Sequence, residues 1–165
     1  MGAQENEFLA KMEKHKGILF KISKMYMDDK DDRDDLFQEI TYQVWKAYPN
    51  FKGESEFSTW MYRIALNTAI IFLKSEKKRS FISHEDFTGY KMEQDDYNHE
   101  KEEQLERMYT AIHQLNPLDK AFIFYYLEDF SGKQIAEQMG ISEGNVRVKM
   151  NRAKNKLKDI LHSNT

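Results

Sequence analysis

The stretch SGKQIAEQMGISEGNVRVKMNRAKNKLK, residues 131–158, predicts two helices joined by a tight turn. Ser131 and Gln134 have the Ser-x-x-Gln spacing of a capping box, so the first helix should begin directly after Ser131. Gly140 suits the left-handed position that ends a helix, and Ser142 can cap the helix that follows. Two helices separated by about three residues, with glycine in the turn, predict a helix-turn-helix.

Residues of suitable size stand where these two helices would cross. Ala136 is small enough for close approach, and Val146 faces back toward it from the second helix. Ile135, Met139 and Ile141 supply the other apolar side chains of the crossing. Several independent features therefore agree on the motif.

A projection of the second helix at about 100° per residue separates a buried side from an exposed side. The predicted buried seam contains Val146, Met150, Ala153 and Leu157. The opposite side carries amide, guanidinium and methyl groups, which belong to Arg147, Val148, Asn151, Arg152 and Asn155. Such groups bind the edges of guanine, adenine and thymine in a major groove.

The lysines of this helix have a different expected role. Lys149, Lys154, Lys156 and Lys158 are flexible point charges, which suit phosphates better than base edges. A solvated amphipathic helix with a basic side would also explain the charge. The capped helix before it and the small residues at the crossing favour DNA binding instead.

Charge is distributed unevenly along the chain, whose formal net charge is −3. Residues 1–79 carry a net charge of +1, residues 80–106 of −7 and residues 107–165 of +3. Because the middle segment is acidic and lacks helical periodicity, we expect an acidic linker over residues 80–104. This linker is either a solvated spacer or a mimic of nucleic acid inside a basic channel.

Composition excludes several classes of protein. The absence of cysteine excludes disulfides, thiolate metal sites and cysteine nucleophiles. The five histidines lack metal-site spacing, and no phosphate-binding loop or nucleophile elbow is present, so we expect no enzyme, cofactor or metal. The polar N-terminus is not a secretory signal, and no apolar stretch approaches the ~20 residues that span a bilayer. A cytoplasmic protein without membrane insertion is expected.

Helical periodicity recurs along the rest of the chain, and no strand alternation is convincing. Apolar residues between Phe8 and Tyr26 predict a first helix or a broken pair, and those between Leu36 and Tyr48 predict a second helix ended by Pro49. A third stripe contains Phe57, Trp60, Met61, Ile64, Ala65, Thr68, Ile71 and Phe72. Two further helices precede residue 131. The predicted fold is all-α, with two small helical bundles joined by the acidic linker and the helix-turn-helix in the C-terminal bundle.

The third helix is apolar on two sides. Tyr62, Leu66 and Ile70 lie opposite the main stripe. Such a helix is either buried on all sides or presents apolar groups to a partner. We expect Phe57 and Trp60 to lie in the core and the opposite side to face a partner.

Two stretches contain short runs of residues that together indicate one protein family. The runs are Phe51-Lys52-Gly53, Thr59-Trp60, Tyr62-Arg63-Ile64-Ala65 and Asn67, followed by Ile135-Ala136, Gly140-Ile141-Ser142, Gly144-Asn145-Val146 and Arg152-Ala153. With these runs, residues 34–79 resemble region 2 of the extracytoplasmic-function sigma factors, and residues 115–158 resemble region 4 of that family. The resemblance implies a promoter-recognition subunit of bacterial RNA polymerase. Region 2 would occupy residues 1–79 and region 4 residues 105–165.

The resemblance also implies sites. Region 4 would bind the promoter −35 element through Ser142, Arg147, Val148, Lys149, Asn151, Arg152 and Lys154. Region 2 would bind the −10 element and capture an unstacked base, through Phe51, Lys52, Gly53, Arg63, Asn67, Lys74, Lys77, Lys78 and Arg79. Asn145 stands where threonine is common in the family and Lys149 where arginine is common, so the promoter sequence stays open.

Three partners follow from the resemblance: core RNA polymerase, promoter DNA and, as a candidate, an anti-sigma factor. Asp35, Gln38 and Glu39 would dock on the coiled coil of the largest polymerase subunit. The acidic run before them either meets a basic partner or only complements the start of a helix. The competing function is a stand-alone helix-turn-helix regulator, whose N-terminal half should contain strands of a receiver or ligand domain.

Overall fold

A computed structural model describes residues 2–79 and 99–163, except for the side chains of residues 76–79 and 99–100. These residues form seven α-helices, a short 3-10 turn and no strand, so the all-α prediction is confirmed. The helices are α1 (Ala3–Tyr26), α2 (Lys30–Ala47), α3 (Phe57–Arg79), α4 (His99–His113), α5 (Pro117–Leu127), α6 (Gly132–Met139) and α7 (Glu143–Ser163). The chain divides into an N-terminal unit, Met1–Met92, and a C-terminal unit, Glu93–Thr165. Helix α4 begins inside the predicted linker, and residues 80–98 of that linker lie outside the described residues.

The N-terminal unit is a bundle of α1, α2 and α3, in which each helix packs against the other two. Helix α1 is continuous, which resolves the alternative of a broken pair. Its core side chains include Leu19 and Ile22, and α2, which packs against it, contributes Leu36 and Ile40; all four are fully buried. Helix α2 ends at Ala47, and the 3-10 turn that contains Pro49 follows it, because proline lacks the N–H that would continue the helix.

The prediction that one apolar side of α3 faces a partner is wrong. Tyr62 and Leu66 are buried at 8% and 2% exposure and Ile70 is half-buried, whereas Ile71 of the supposed core stripe is 63% exposed. Because α3 packs against α1 and α2 together, it buries two adjacent sides. At about 100° per residue, the centre of its buried arc is rotated by about 80° from the predicted stripe.

Aromatic side chains close one end of this bundle. Phe57, at the start of α3, is 6% exposed, and its ring lies 5.7 Å from the Phe51 ring and 5.7 Å from the Trp60 ring. Tyr48 joins the same group, with its ring 6.0 Å from that of Phe57. Such ring pairs add stability beyond simple burial. Phe57 therefore lies in the core as expected, whereas Trp60 is half-buried at its edge.

In the C-terminal unit, α5 forms the centre of the core. Residues 121–125 are all exposed by 1% or less, on every side of the helix. Helix α7 packs against α4, α5 and α6. Asn116 caps α5 by accepting a hydrogen bond from the Asp119 N–H at 2.8 Å.

The helix-turn-helix has the caps that the sequence predicts. The Gln134 N–H donates to Ser131 Oγ at 3.1 Å, and the Ser131 N–H donates to Gln134 Oε1 at 2.8 Å, which completes the capping box. Gly140 ends α6 with a left-handed φ of 69°. The N–H groups of Gly140 and Ile141 both donate to the Ala136 carbonyl, at 2.9 Å and 3.2 Å. Both hydrogen bonds of the turn therefore end at Ala136, the small residue where the two helices cross.

Candidate nucleic-acid interface

Helix α7 separates a buried seam from an exposed surface. Val146, Met150 and Ala153 are exposed by 3%, 8% and 0%, and Leu157, nearer the end of the helix, is half-buried. The residues predicted to face outward are exposed, namely Arg147, Val148, Asn151, Arg152 and Asn155. Val148 is half-exposed although it is apolar. We call these five residues the α7 face.

Ser142 has a local structural role as well as a predicted DNA contact. The Asn145 N–H donates to Ser142 Oγ at 3.1 Å, so this hydroxyl caps α7 as the sequence predicts. Its side chain is exposed beside the first turn of the helix. The positive end of the α7 dipole lies at the same place, which favours an approaching phosphate.

Two of the predicted phosphate-binding lysines contact other parts of the C-terminal unit. Lys156 Nζ forms an ion pair with Asp119 Oδ2 at 3.0 Å. Lys154 Nζ lies over the Tyr126 ring, 3.9 Å from its centre. Lys149 is half-buried, and Lys158 is exposed. The four lysines, which the sequence groups together, therefore have different surroundings.

Helix α3 presents one exposed strip on the N-terminal unit. Arg63, Asn67, Ile71 and Lys74 are exposed and follow one another at steps of four, four and three residues. This spacing places them on one side of the helix, facing away from α1 and α2. We call these four residues the α3 face. Lys77, Lys78 and Arg79 continue α3, but their side chains lie outside the described residues.

The loop before α3 is anchored at one end and open at the other. Phe51 is half-buried, with its ring 5.0 Å from that of Trp60. Lys52 and Gly53 are exposed, and Gly53 has a φ of 73°, a left-handed conformation that glycine adopts without strain. Phe51 thus packs against the bundle, and the two residues after it project from it.

Helix α2 carries an exposed surface that includes one residue beyond the three that the resemblance implies. Asp35 is exposed, and Gln38 and Glu39 are half-buried, with Glu39 accepting a hydrogen bond from Gln43 at 3.2 Å. Tyr42 is 46% exposed and projects within about 60° of all three predicted docking residues. The signal for Tyr42 was available in the sequence, because it lies opposite Ile40 and Val44 on a helical projection. We call Asp35, Gln38, Glu39 and Tyr42 the α2 face.

The described helices include none that is long and apolar enough to cross a membrane.

Two family models match the chain in the order of its two units. The model described as Sigma-70 region 2 matches residues 12–79, and the one described as Sigma-70, region 4 matches residues 105–157. The chain is similar to the ECF RNA polymerase sigma-E factor of Haemophilus influenzae, with 33% identity over 76% of this chain and 72% of that protein. It is 30% identical to the corresponding sigma-E factor of Escherichia coli, over 73% of this chain and 69% of that protein.

Solved structures of the same fold match over nearly the whole chain. One is CnrH in complex with the cytosolic domain of CnrY, with a TM-score of 0.68, 19% identity and coverage of 98% of this chain and 91% of that one. Another is the sigma factor RpoE in complex with the anti-sigma factor NepR from Bartonella quintana, with a TM-score of 0.66, 17% identity and coverage of 94% and 97%.

Family and fold together decide between the competing functions. The N-terminal half is a sigma region 2 rather than a receiver or ligand domain, so a stand-alone regulator is not favoured. The chain belongs to the extracytoplasmic-function sigma factors of the sigma-70 family: it is a transcription initiation factor, not an enzyme, and it binds core RNA polymerase and directs it to promoter DNA.

Proposed function

We propose that the α7 face binds the −35 element of the promoter. The observation that carries this proposal is the exposure of Arg147, Asn151 and Arg152 opposite a buried seam. Guanidinium groups bind guanine and carboxamides bind adenine, whereas Val148 offers a methyl group to thymine. Lys149 and Ser142 flank this surface and would contact phosphates. The resemblance implies the same role for Lys154, but Lys154 Nζ lies over the Tyr126 ring.

The α3 face and the loop before it would bind the −10 element. Lys52 and Gly53 project from the bundle, and the bare glycine backbone permits close approach of an unstacked base. Phe51 would hold the loop in place from its base. Arg63, Asn67 and Lys74 offer hydrogen bonds and positive charge along α3, and Lys77, Lys78 and Arg79 would extend that charge along the DNA backbone. Ile71, exposed among them, would contact a thymine methyl group.

The α2 face would dock on core polymerase. Asp35, Gln38 and Glu39 supply polar and acidic groups, and Tyr42 supplies an exposed aromatic ring among them. An aromatic residue at the centre of a polar surface is typical of interaction hot spots. Residues 1–79 would thus form region 2 and residues 105–165 region 4, with an acidic linker over residues 80–104 between them.

An anti-sigma factor is a second protein partner that we propose. The CnrH and RpoE structures are both complexes, one with the cytosolic domain of CnrY and one with an anti-sigma factor. Such a partner would compete with core polymerase for the α2 face or with promoter DNA for the α7 face. Because core polymerase acts in the cytoplasm, we place this protein there.

Run-off transcription with bacterial core polymerase on genomic fragments tests the proposal and identifies the promoter. We expect specific transcripts only when the full chain and core enzyme are both present, whereas the chain alone should bind duplex promoter weakly. Tight, specific binding without core enzyme would support a stand-alone regulator and contradict the proposal.

Substitutions then test the individual surfaces. Arg147→Ala and Arg152→Ala should each cost about 1–3 kcal/mol of promoter binding and relax the preference at one −35 position. Tyr42→Ala should weaken binding to core enzyme and leave the base preference of the bound complex unchanged. If the arginine variants weaken binding to every promoter sequence alike, the α7 face does not read bases.

A further inference from the structure

Two lysines in the second half of α7 contact opposite ends of α5. Lys156 Nζ lies 3.0 Å from Asp119 Oδ2, and Lys154 Nζ lies 3.9 Å from the centre of the Tyr126 ring. Asp119 and Tyr126 are seven residues apart, which is about 10 Å along the axis of α5. Lys154 and Lys156 are two residues apart and project about 200° from each other around α7. Helix α5 therefore crosses α7, and each end of α5 contacts one of the two lysines.

The carboxylate that accepts Lys156 is already fixed in position. The Asp119 side chain is only 12% exposed, and Asn116 Nδ2 donates to its Oδ2 at 3.0 Å. The Asp119 N–H is in turn bonded to Asn116 Oδ1 at 2.8 Å. Most exposed ion pairs contribute little because two mobile side chains must be ordered. Here only the lysine has to be ordered, so the pair can hold α7 in place.

The basic residues of α7 differ in their contacts along the length of the helix. Arg147 and Arg152 lie nearer its N-terminal end and form no ion pair with a described carboxylate. Lys154 and Lys156 come next and bind α5. A recognition helix contacts base edges mainly through its N-terminal residues, and both lysine contacts with α5 lie beyond these residues, in the second half of α7.

We propose that Asp119 and Tyr126 are positioning residues, which fix the angle at which α7 meets the −35 element, and that Lys154 and Lys156 hold α7 to α5 instead of binding phosphates. This proposal deepens the proposed −35 function, and the part of it that concerns DNA binding rests on that function. The contacts between α5 and α7 do not depend on DNA, so they can be tested separately.

Hydrogen exchange of the full chain tests these contacts without DNA. Asp119→Asn and Lys156→Gln should each speed exchange of the α7 amides by roughly two- to fivefold, as expected for loss of a modest ion pair. The double variant should exchange no faster than the faster single variant, because both changes remove the same contact. Additive effects would overturn the ion-pair part of the proposal.

Salt dependence of promoter binding separates a positioning lysine from a phosphate contact. Lys158→Gln is the matched control, since it removes an exposed positive charge from the same helix. Affinity falls as salt rises, and loss of one phosphate contact makes the slope of log affinity against log salt less negative by about 0.9. In the holoenzyme we expect that change for Lys158→Gln and no change of slope for Lys156→Gln. A slope change of about 0.9 for Lys156→Gln would overturn the proposal.

Discrimination between promoters is a measurement that a loss of stability alone would not change. At a temperature where all variants are folded, Lys156→Gln and Asp119→Asn should each reduce the preference for a matched −35 element over a mismatched one by roughly two- to fivefold. Tyr126→Leu should do the same, whereas Tyr126→Phe keeps the ring under Lys154 and should retain the preference. Unchanged discrimination in all variants would refute the positioning role. A wild-type holoenzyme that ignores the −35 sequence would instead contradict the proposed function.

Discussion

Leu66 and Ile71 on α3 make a matched pair for separating stability from DNA binding. Both are apolar and five residues apart, but Leu66 is 2% exposed and Ile71 is 63% exposed. Replacing a buried leucine with alanine costs about 2–5 kcal/mol, through lost burial and the cavity that remains. A surface substitution away from special features changes stability by less than about 0.5 kcal/mol. Leu66→Ala should therefore destabilise the N-terminal unit, and Ile71→Ala should not.

Tryptophan fluorescence is a suitable assay, because both tryptophans of the chain, Trp45 and Trp60, lie in the N-terminal unit. For a domain of this size, 1 kcal/mol corresponds to about 4–8 °C in Tm, so Leu66→Ala should lower the Tm of this unit by roughly 8–40 °C. Ile71→Ala should shift it by no more than about 4 °C. Equal losses of Tm in the two variants would refute the division of α3 that burial indicates.

The same pair gives opposite expectations for promoter recognition. At a temperature where both variants are folded, Ile71→Ala should weaken binding of the holoenzyme to the −10 element, and Leu66→Ala should not. If Ile71 contacts a thymine methyl group, replacing that thymine with deoxyuridine should weaken binding by the wild type but not by Ile71→Ala. Equal sensitivity of both proteins to deoxyuridine would remove the assigned contact.

Substitutions at three further positions test local features. Gly140→Ala should destabilise the C-terminal unit by about 1–2 kcal/mol in thermal denaturation, because φ there is 69° while an added Cβ meets no atom within 4 Å; Gly140→Asn should cost less. Ser131→Ala should cost about 0.5–2 kcal/mol by removing the capping-box hydroxyl, and hydrogen exchange should show the loss first in α6. Burial, followed by the charges of Lys14 and Lys11, lowers the pKa of His15 from its ordinary value of 6.5. Below pH 6.5 the unfolded state therefore binds more protons than the folded state, and the stability of the N-terminal unit should decrease as the pH is lowered. In His15→Gln that fall should be smaller, and an unchanged pH profile would contradict the assigned cause.

The sequence predicted the helix-turn-helix in detail because each of its features is local. Ser131, Gly140 and Ser142 act within a few residues of themselves, and capping rules describe such positions well. The seam of α7 was also predictable, because α7 buries a narrow side against its neighbours. Leu157 is the one seam residue that is half-buried instead of buried.

The burial of α3 could not be predicted in the same way. Its apolar residues surround most of the helix, so the sequence pattern does not say which sides are covered. That depends on α1 and α2, which both pack against it and bury Tyr62 and Leu66. The contacts of Lys154 and Lys156 could not be predicted for a related reason, since their partners on α5 lie 28 and 37 residues away in the chain. Tyr42, in contrast, could have been identified from its place on the helical projection.

The division of α3 also bears on how promoter preference can change in such proteins. The four residues of the α3 face are exposed, whereas Met61, Ala65 and Ala69 of the same helix are fully buried. Substitutions on the exposed side leave the packed side intact and are expected to cost little stability. If the α3 face binds the −10 element as proposed, promoter preference can diverge, or be redesigned, by changing a few side chains of α3 while the packing of the three-helix bundle stays the same.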